Sequence, residues 1–247
     1  MGRVEEYIKS RIKEDGAIHF TLIDPDNVEL KAVPKIAAEA ERGGTAVILL
    51  GGSTISSAHQ VDSVIKEIKG AVEVPIVLFP GNTSGISGLA DAVLFMSLLN
   101  SSNPYFLIDA QALGAPLIRK YKLEPISLGY IILGAGGTAG FVGYARSLPF
   151  EKAKLAASYA LAAQYLGMRF IYLEAGSGAE KPIPPQTIST VRKAVELPII
   201  VGGGIRNGRD AARAVKAGAD IIVTGSVVEK TSRVRGKIQE LVGSIRR

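Results

Sequence analysis

In IYLEAGSGAEKP, residues 171–182, an apolar run carries one carboxylate, Glu174, and then breaks into glycines and a Lys-Pro pair. A carboxylate at the end of a buried run is costly to desolvate unless a partner compensates it or a reaction uses it. Side chains alternate faces along a strand, so Tyr172 and Glu174 share one. Gly176, Ser177 and Gly178 follow and bring main-chain N–H groups to the same place. Beside a bound phosphate ester, Glu174 is suited to act as a general base toward a hydroxyl of that ester. A structural ion pair with Lys181 or Arg169 is the competing reading.

Two further apolar runs end in glycine. LPIIVGGG (197–204) and ADIIVTGS (219–226) leave Gly203, Gly204, Gly225 and Ser226 where strands give way to helical segments. Exposed amides and the start of a helix at such a junction bind phosphate; tight turns would use the same glycines. Arg206 has two readings, neutralising a bound phosphate or capping the loop.

A third feature is TLIDPDN followed by LLGGST. Asp24 terminates one run, and Ser53 and Thr54 the next. One carboxylate with hydroxyls makes a sparse oxygen-only site. Mg2+ takes such sites, completing its shell with water and substrate phosphates. A turn at Asp24 and a helix cap at Ser53 or Thr54 would use the same residues, and Asp26 reads as a turn residue. His19 has the opposite parity to Asp24 and is expected to face the helix layer, while His59 falls on a helical surface. With two histidines and no cysteine, Ser–His–Asp chemistry, His-ligated metal sites and thiolate chemistry are disfavoured.

These residues need a frame. Eight short apolar runs cover residues 17–24, 46–52, 74–81, 92–100, 125–134, 169–176, 197–204 and 219–226. Continuous apolar character suits a parallel sheet buried on both faces. Helical patterns separate most of the runs, several ending at glycine. The count predicts a single (β/α)8 TIM barrel over residues 1–247, with active-site residues at the strand C-terminal ends; a doubly wound open sheet would not use all eight runs. Between the third and fourth runs stands only NTSGISGLAD. It is too short and too rich in Gly and Ser for a regular crossover helix, so the third crossover helix is expected to be missing or irregular. Apolar, small and aromatic residues in FMSLLNSSNPYFLI and GYIILGAGGTAGFVGYA could line a long groove beside that gap or simply pack the core.

The composition, 47% hydrophobic and 21% charged, is that of an ordinary globular chain. The net charge of +6 is dispersed except in KTSRVRGKIQELVGSIRR. No nucleic-acid motif accompanies it, so no nucleic-acid partner is expected; peripheral contact of that segment with an anionic membrane surface stays open. The polar N-terminus and the lack of a span-length apolar run point to a cytoplasmic enzyme or binding protein.

Taken in order, FTLIDPD, LLGGST, FPGNTSGISGLADAVLFMSLLNS, YLEAGSGA, VGGGIR and VTGS resemble the geranylgeranylglyceryl phosphate synthase family across nearly the whole chain. The resemblance implies a modified barrel and a prenyltransferase. It would join the C3 hydroxyl of sn-glycerol 1-phosphate to geranylgeranyl diphosphate with release of diphosphate, in archaeal ether-lipid biosynthesis. It implies Glu174 as the base. Tyr172, Leu173, Glu174, Ala175, Gly176, Ser177, Gly178, Gly203, Gly204, Gly225 and Ser226 would form the glycerol-phosphate site, and Asp24 and Ser53 the Mg2+ positions. The related bacterial branch carries a Lys before DPD; here Thr21 and no Lys stand in that stretch, matching the archaeal group. The resemblance also implies a homo-oligomer, dimer or hexamer. A sugar-phosphate isomerase using Asp24 and Glu174 as its acid–base pair, and a non-catalytic phosphate-binding barrel, are the alternatives.

Overall fold

The computed structural model describes residues 2–52, 57–229 and 231–246. Eight parallel strands close into a barrel in chain order. They are β1 (Ile18–Ile23), β2 (Val47–Leu50), β3 (Ile76–Leu78), β4 (Ala92–Leu98), β5 (Glu124–Ile132), β6 (Phe170–Glu174), β7 (Ile199–Gly202) and β8 (Ile221–Thr224). Seven fall inside their apolar runs and β5 starts one residue before its own; the open-sheet alternative is excluded by the β1–β8 pairing, which sets Thr21 opposite Thr224.

Strand alternation sorts the core into two layers. Phe20, Leu49, Leu94, Leu128, Tyr172 and Val223 point into the barrel. Ile48, Leu78, Ile131, Leu173, Val201 and Ile222 point out against the helices. His19 follows its parity into the outer layer and is fully buried. His59 is exposed on its helix.

The outer helices are α2 (Val33–Arg42), α3 (Ala58–Lys69), α4 (Ala110–Tyr121), α6 (Ala153–Tyr165), α7 (Pro185–Ala194), α8 (Gly208–Lys216) and α10 (Val234–Ile245), with short α5 (Gly137–Val142) and α9 (Ser226–Glu229) at the strand ends. Sequence explains several boundaries. Ser57 caps α3 by accepting from the Gln60 amide, and Asn207 caps α8 by accepting from the Asp210 amide. Positive-φ Gly218 follows the end of α8.

Before the barrel comes α1 (Arg3–Asp15), which closes its floor. Val4 and Ile8 pack with the inward layer. Burying a residue such as Ile8, 1% exposed, contributes roughly 1.5–3 kcal/mol. The N-terminal amides of α1 have no local cap; the carboxylate of Glu124 on β5 accepts from Val4 and Glu5 at 2.8 and 2.9 Å. Buried Glu5 in turn pairs with Arg169 at 2.7 Å and Lys9 at 2.8 Å.

The expected gap is present. Between β3 and β4 lies a single short turn of 3-10 helix, Thr83–Gly85. A segment of wide π-helix, Tyr105–Asp109, leads into α4 and had no counterpart in the sequence reading.

Candidate active site

Each inward strand end faces one cavity of about 1500 Å³, its open mouth included, on the C-terminal side of the barrel. Asp24, Tyr172, Glu174, Gly203, Gly204 and Gly225 all line it, as do Ser177, Gly178 and Ser226. Parity alone brings Asp24 and Glu174 inside. Each stands an even number of residues from an inward neighbour, Phe20 and Tyr172 respectively.

Glu174 is 7% exposed. Its Oε1 accepts from the Gly176 amide at 2.6 Å, and its carboxylate takes hydrogen bonds from the hydroxyls of Tyr172 and Tyr130. Burial pushes its pKa above the usual carboxylate range, and the three hydrogen bonds pull it back part of the way. The same burial drives both phenols well up, so they stay protonated as donors. The ion-pair reading of Glu174 does not hold: Arg169 belongs to the barrel floor with Glu5, and the hydrogen bonds on Glu174 come from an amide and two phenols.

Tyr130 was missed in the sequence, and so was Phe79. Phe79 stacks on Tyr172 at 5.4 Å, and Tyr130 meets Tyr172 edge-on at 5.1 Å. The three rings form an apolar wall behind the carboxylate. Tyr130 lies directly opposite Tyr172 in the β5–β6 register.

On the neighbouring strand end, Gly203 and Gly204 have φ of +82° and +72°, which only glycine adopts freely. A Cβ on Gly203 would sit 2.5 Å from the Glu174 carboxylate. Gly225 differs: its φ is ordinary, and a Cβ there would meet nothing closer than 3.3 Å. The nearest atom is the main-chain carbonyl oxygen of Leu22, so a side chain at 225 would press closely on β1. Among the described residues, the amides of Gly203, Gly204 and Gly225 donate to no protein acceptor. α9 has four residues, too few for a useful dipole, so the anion-binding capacity at β8 rests on individual amides.

Three expected site residues do not reach the cavity as supposed. Leu173 and Ala175 point outward into the helix-packed core because their parity is opposite to that of Glu174. Both main-chain groups of Ala175 are already bonded, to Gly202 and Gly136. The amide of Gly176 is used on Glu174 rather than left for a ligand. Arg206 donates to the carbonyl of Ala179 at 2.9 Å, so it clamps the β6–α7 loop.

On the far rim, half-buried Asp24 accepts from the Asp26 amide at 3.0 Å. Burial raises its pKa, the Asp26 amide lowers it, and the nearby Asp26 charge raises it again. Ser53 and Thr54 lie outside the described residues. Among those described, no group of three or more carboxylates or imidazoles is placed to hold a metal ion. A single rim carboxylate fits a cation that keeps most of its shell as water and substrate oxygen, and does not fit a caged one.

The cavity extends from the mouth into the gap in the helix layer outside β3 and β4. There it is walled by outward-facing Val93 and Phe95, by Ile86, and by Gly114 and Ile118 of α4. A regular third helix would have covered these residues. Phe95 and Ile118 close the groove, and a second cavity of about 850 Å³, open to solvent and bordered by Arg119 and Lys122, begins behind them.

Fold and site together define a TIM-barrel protein with strand-end amides left without protein acceptors, a buried carboxylate and an apolar side groove. Residues 9–244 match the model of the PcrB family. The chain is 52% identical over 248 residues to a geranylgeranylglyceryl phosphate synthase of Methanobrevibacter smithii, covering 100% of this chain and 98% of the relative. It is 50% identical over 249 residues to one of Thermococcus gammatolerans, with the same coverage. The crystal structure of (S)-3-O-geranylgeranylglyceryl phosphate synthase from Thermoplasma acidophilum in complex with sn-glycerol-1-phosphate superimposes with a TM-score of 0.94 at 39% identity, covering 100% of this chain and 99% of that one. The chain belongs to the PcrB family.

Proposed function

We propose that this protein is a prenyltransferase of archaeal-type ether-lipid biosynthesis that joins the C3 hydroxyl of sn-glycerol 1-phosphate to geranylgeranyl diphosphate. The observation that carries this reading is one cavity holding a buried carboxylate, unused strand-end amides and an apolar groove. The amides of Gly203, Gly204 and Gly225 receive the phosphate of glycerol phosphate, which orients its free hydroxyl. Glu174 takes the proton from the C3 hydroxyl as its oxygen bonds to C1 of the prenyl chain and the bond from C1 to diphosphate breaks. Tyr130 and Tyr172 hold the carboxylate in one orientation. The prenyl tail fills the groove outside β3 and β4, where the third helix is missing.

Magnesium is the cofactor this reading carries. Asp24 would hold it, with Ser53 as the second protein ligand implied by the family resemblance, and it would supply positive charge to the departing diphosphate. A sugar-phosphate isomerase would share the amide site but leave the apolar groove without a purpose, and a non-catalytic barrel would leave a buried base without one.

The test is incubation with sn-glycerol 1-phosphate, labelled geranylgeranyl diphosphate and Mg2+. An extractable phosphorylated ether is expected, and Glu174→Gln is expected to lower kcat/KM by about 10²–10⁴ while glycerol phosphate still binds. Absence of that ether under saturating substrates would falsify the assignment.

Self-association belongs to the same proposal and is supported by exposed apolar side chains considered below. Among the described residues no helix is long and apolar enough to cross a membrane. The apolar face of α10 is packed in the core through Ile238, Leu241 and Ile245. Peripheral contact with anionic lipid would therefore rest on its cations alone.

A further inference from the structure

His19 is fully buried, faces away from the cavity, and has no part in the chemistry above. Its surroundings are nevertheless polar. Nδ1 lies 2.9 Å from Thr45 Oγ1, and Nε2 lies 2.9 Å from Thr224 Oγ1. Thr21 Oγ1 donates to Thr45 Oγ1 at 3.0 Å, and Thr45 Oγ1 donates to the His19 carbonyl at 3.1 Å. All four side chains are 3% exposed or less.

The proton count fixes the direction of this chain. A threonine hydroxyl has one proton to give. Thr45 gives its own to the His19 carbonyl, so Nδ1 must be the donor to Thr45. Nε2 is then bare and accepts from Thr224. The opposite tautomer would require the Thr45 proton at Nδ1 and would leave the carbonyl bond unmade. Burial keeps the ring neutral, with its pKa pushed down to about 3, so the chain is not interrupted by a charged form at neutral pH.

Thr224 is the last residue of β8, immediately before Gly225 and Ser226. Its side chain faces His19, while the residue itself borders the cavity. After it the chain turns into a helix of four residues, which cannot hold its own place. The other end of the chain reaches Thr45 just before β2, and His19 lies on the strand that leads into Asp24.

We propose that His19, as the Nδ1–H tautomer, is a positioning residue that fixes the end of β8 through Thr224 and thereby the amide of Gly225 that receives the phosphate. The inference rests on the glycerol-phosphate reading of the cavity and deepens it.

Two measurements test it. Nitrogen-15 NMR of the wild-type protein, with His59 the only other imidazole to separate, should show protonated Nδ1 and bare Nε2 for His19; the reverse tautomer overturns the proposal. In kinetics, Thr224→Val keeps the shape and removes the hydroxyl. It should raise KM for sn-glycerol 1-phosphate roughly fivefold to tenfold, the effect of one lost neutral hydrogen bond. KM for the prenyl diphosphate should stay unchanged, and Thr224→Ser should restore the wild-type value. A purely structural role would lower the melting temperature of Thr224→Val and leave KM alone, which overturns the proposal. If wild-type protein itself fails to bind glycerol phosphate in calorimetry, the functional reading falls and the inference with it. Wild-type binding that is unaltered in Thr224→Val removes the inference only.

Discussion

Glu174 is subject to two opposing influences. Burial favours its protonated form, while Gly176, Tyr172 and Tyr130 favour the carboxylate. Only the carboxylate accepts a proton, so the acid limb of the kcat/KM profile should lie above the ordinary carboxylate range. Tyr130→Phe removes a hydrogen bond to the charged form, raises the pKa further, and should move that limb to higher pH. A limb that stays in place, or moves down, would show that Tyr130 does not hold the carboxylate. Glu174 and Tyr172 could be paired from the sequence because alternation along one strand is a local rule. Tyr130 could not, since its approach to Tyr172 depends on the register between two strands, which no local pattern encodes. The outward turn of Leu173 and Ala175 was already implied by that same alternation; a continuous motif match spread the site over residues that the pleat divides.

At the level of elements, the missing third crossover helix is what converts a phosphate-binding barrel into one with room for a long apolar substrate. The short NTSGISGLAD segment announced the gap, because no stable helix forms from so few residues rich in Gly and Ser. The depth of the groove was not readable, since Phe95 on β4 and Ile118 on α4 meet only in the folded chain. They separate the groove from the cavity behind it. Phe95→Ala and Ile118→Ala should join the two and shift the preferred prenyl diphosphate toward greater chain length, measured with a C10 to C35 panel. Ile118→Ala should also cost about 2–5 kcal/mol of stability. An unchanged preference in the double variant would place the chain terminus elsewhere.

The molecule as a whole is unevenly covered. Among the described residues, every exposed large apolar side chain except Leu30 falls between positions 108 and 166. Phe141 is 88% exposed, Tyr165 79% and Leu166 72%. Exposed apolar side chains in this number leave surface for a partner to cover, and a second copy of the chain is the partner that the proposed self-association supplies. Light scattering should give a mass above the monomer, and Phe141→Glu with Tyr165→Glu should shift it down. A monomer at all concentrations would dismiss this. The sequence did not reveal the patch, because α6 is apolar nearly all round and its buried and bare faces look alike.

The tie between Glu124 and the amides of Val4 and Glu5 has a consequence for the opening residues. Helix ends normally loosen first and independently of the body they flank. Here the leading helix is fastened to a strand halfway along the chain, so unwinding its first turn uncaps a carboxylate at the base of the barrel. The beginning of the polypeptide and its middle are bound to yield as one.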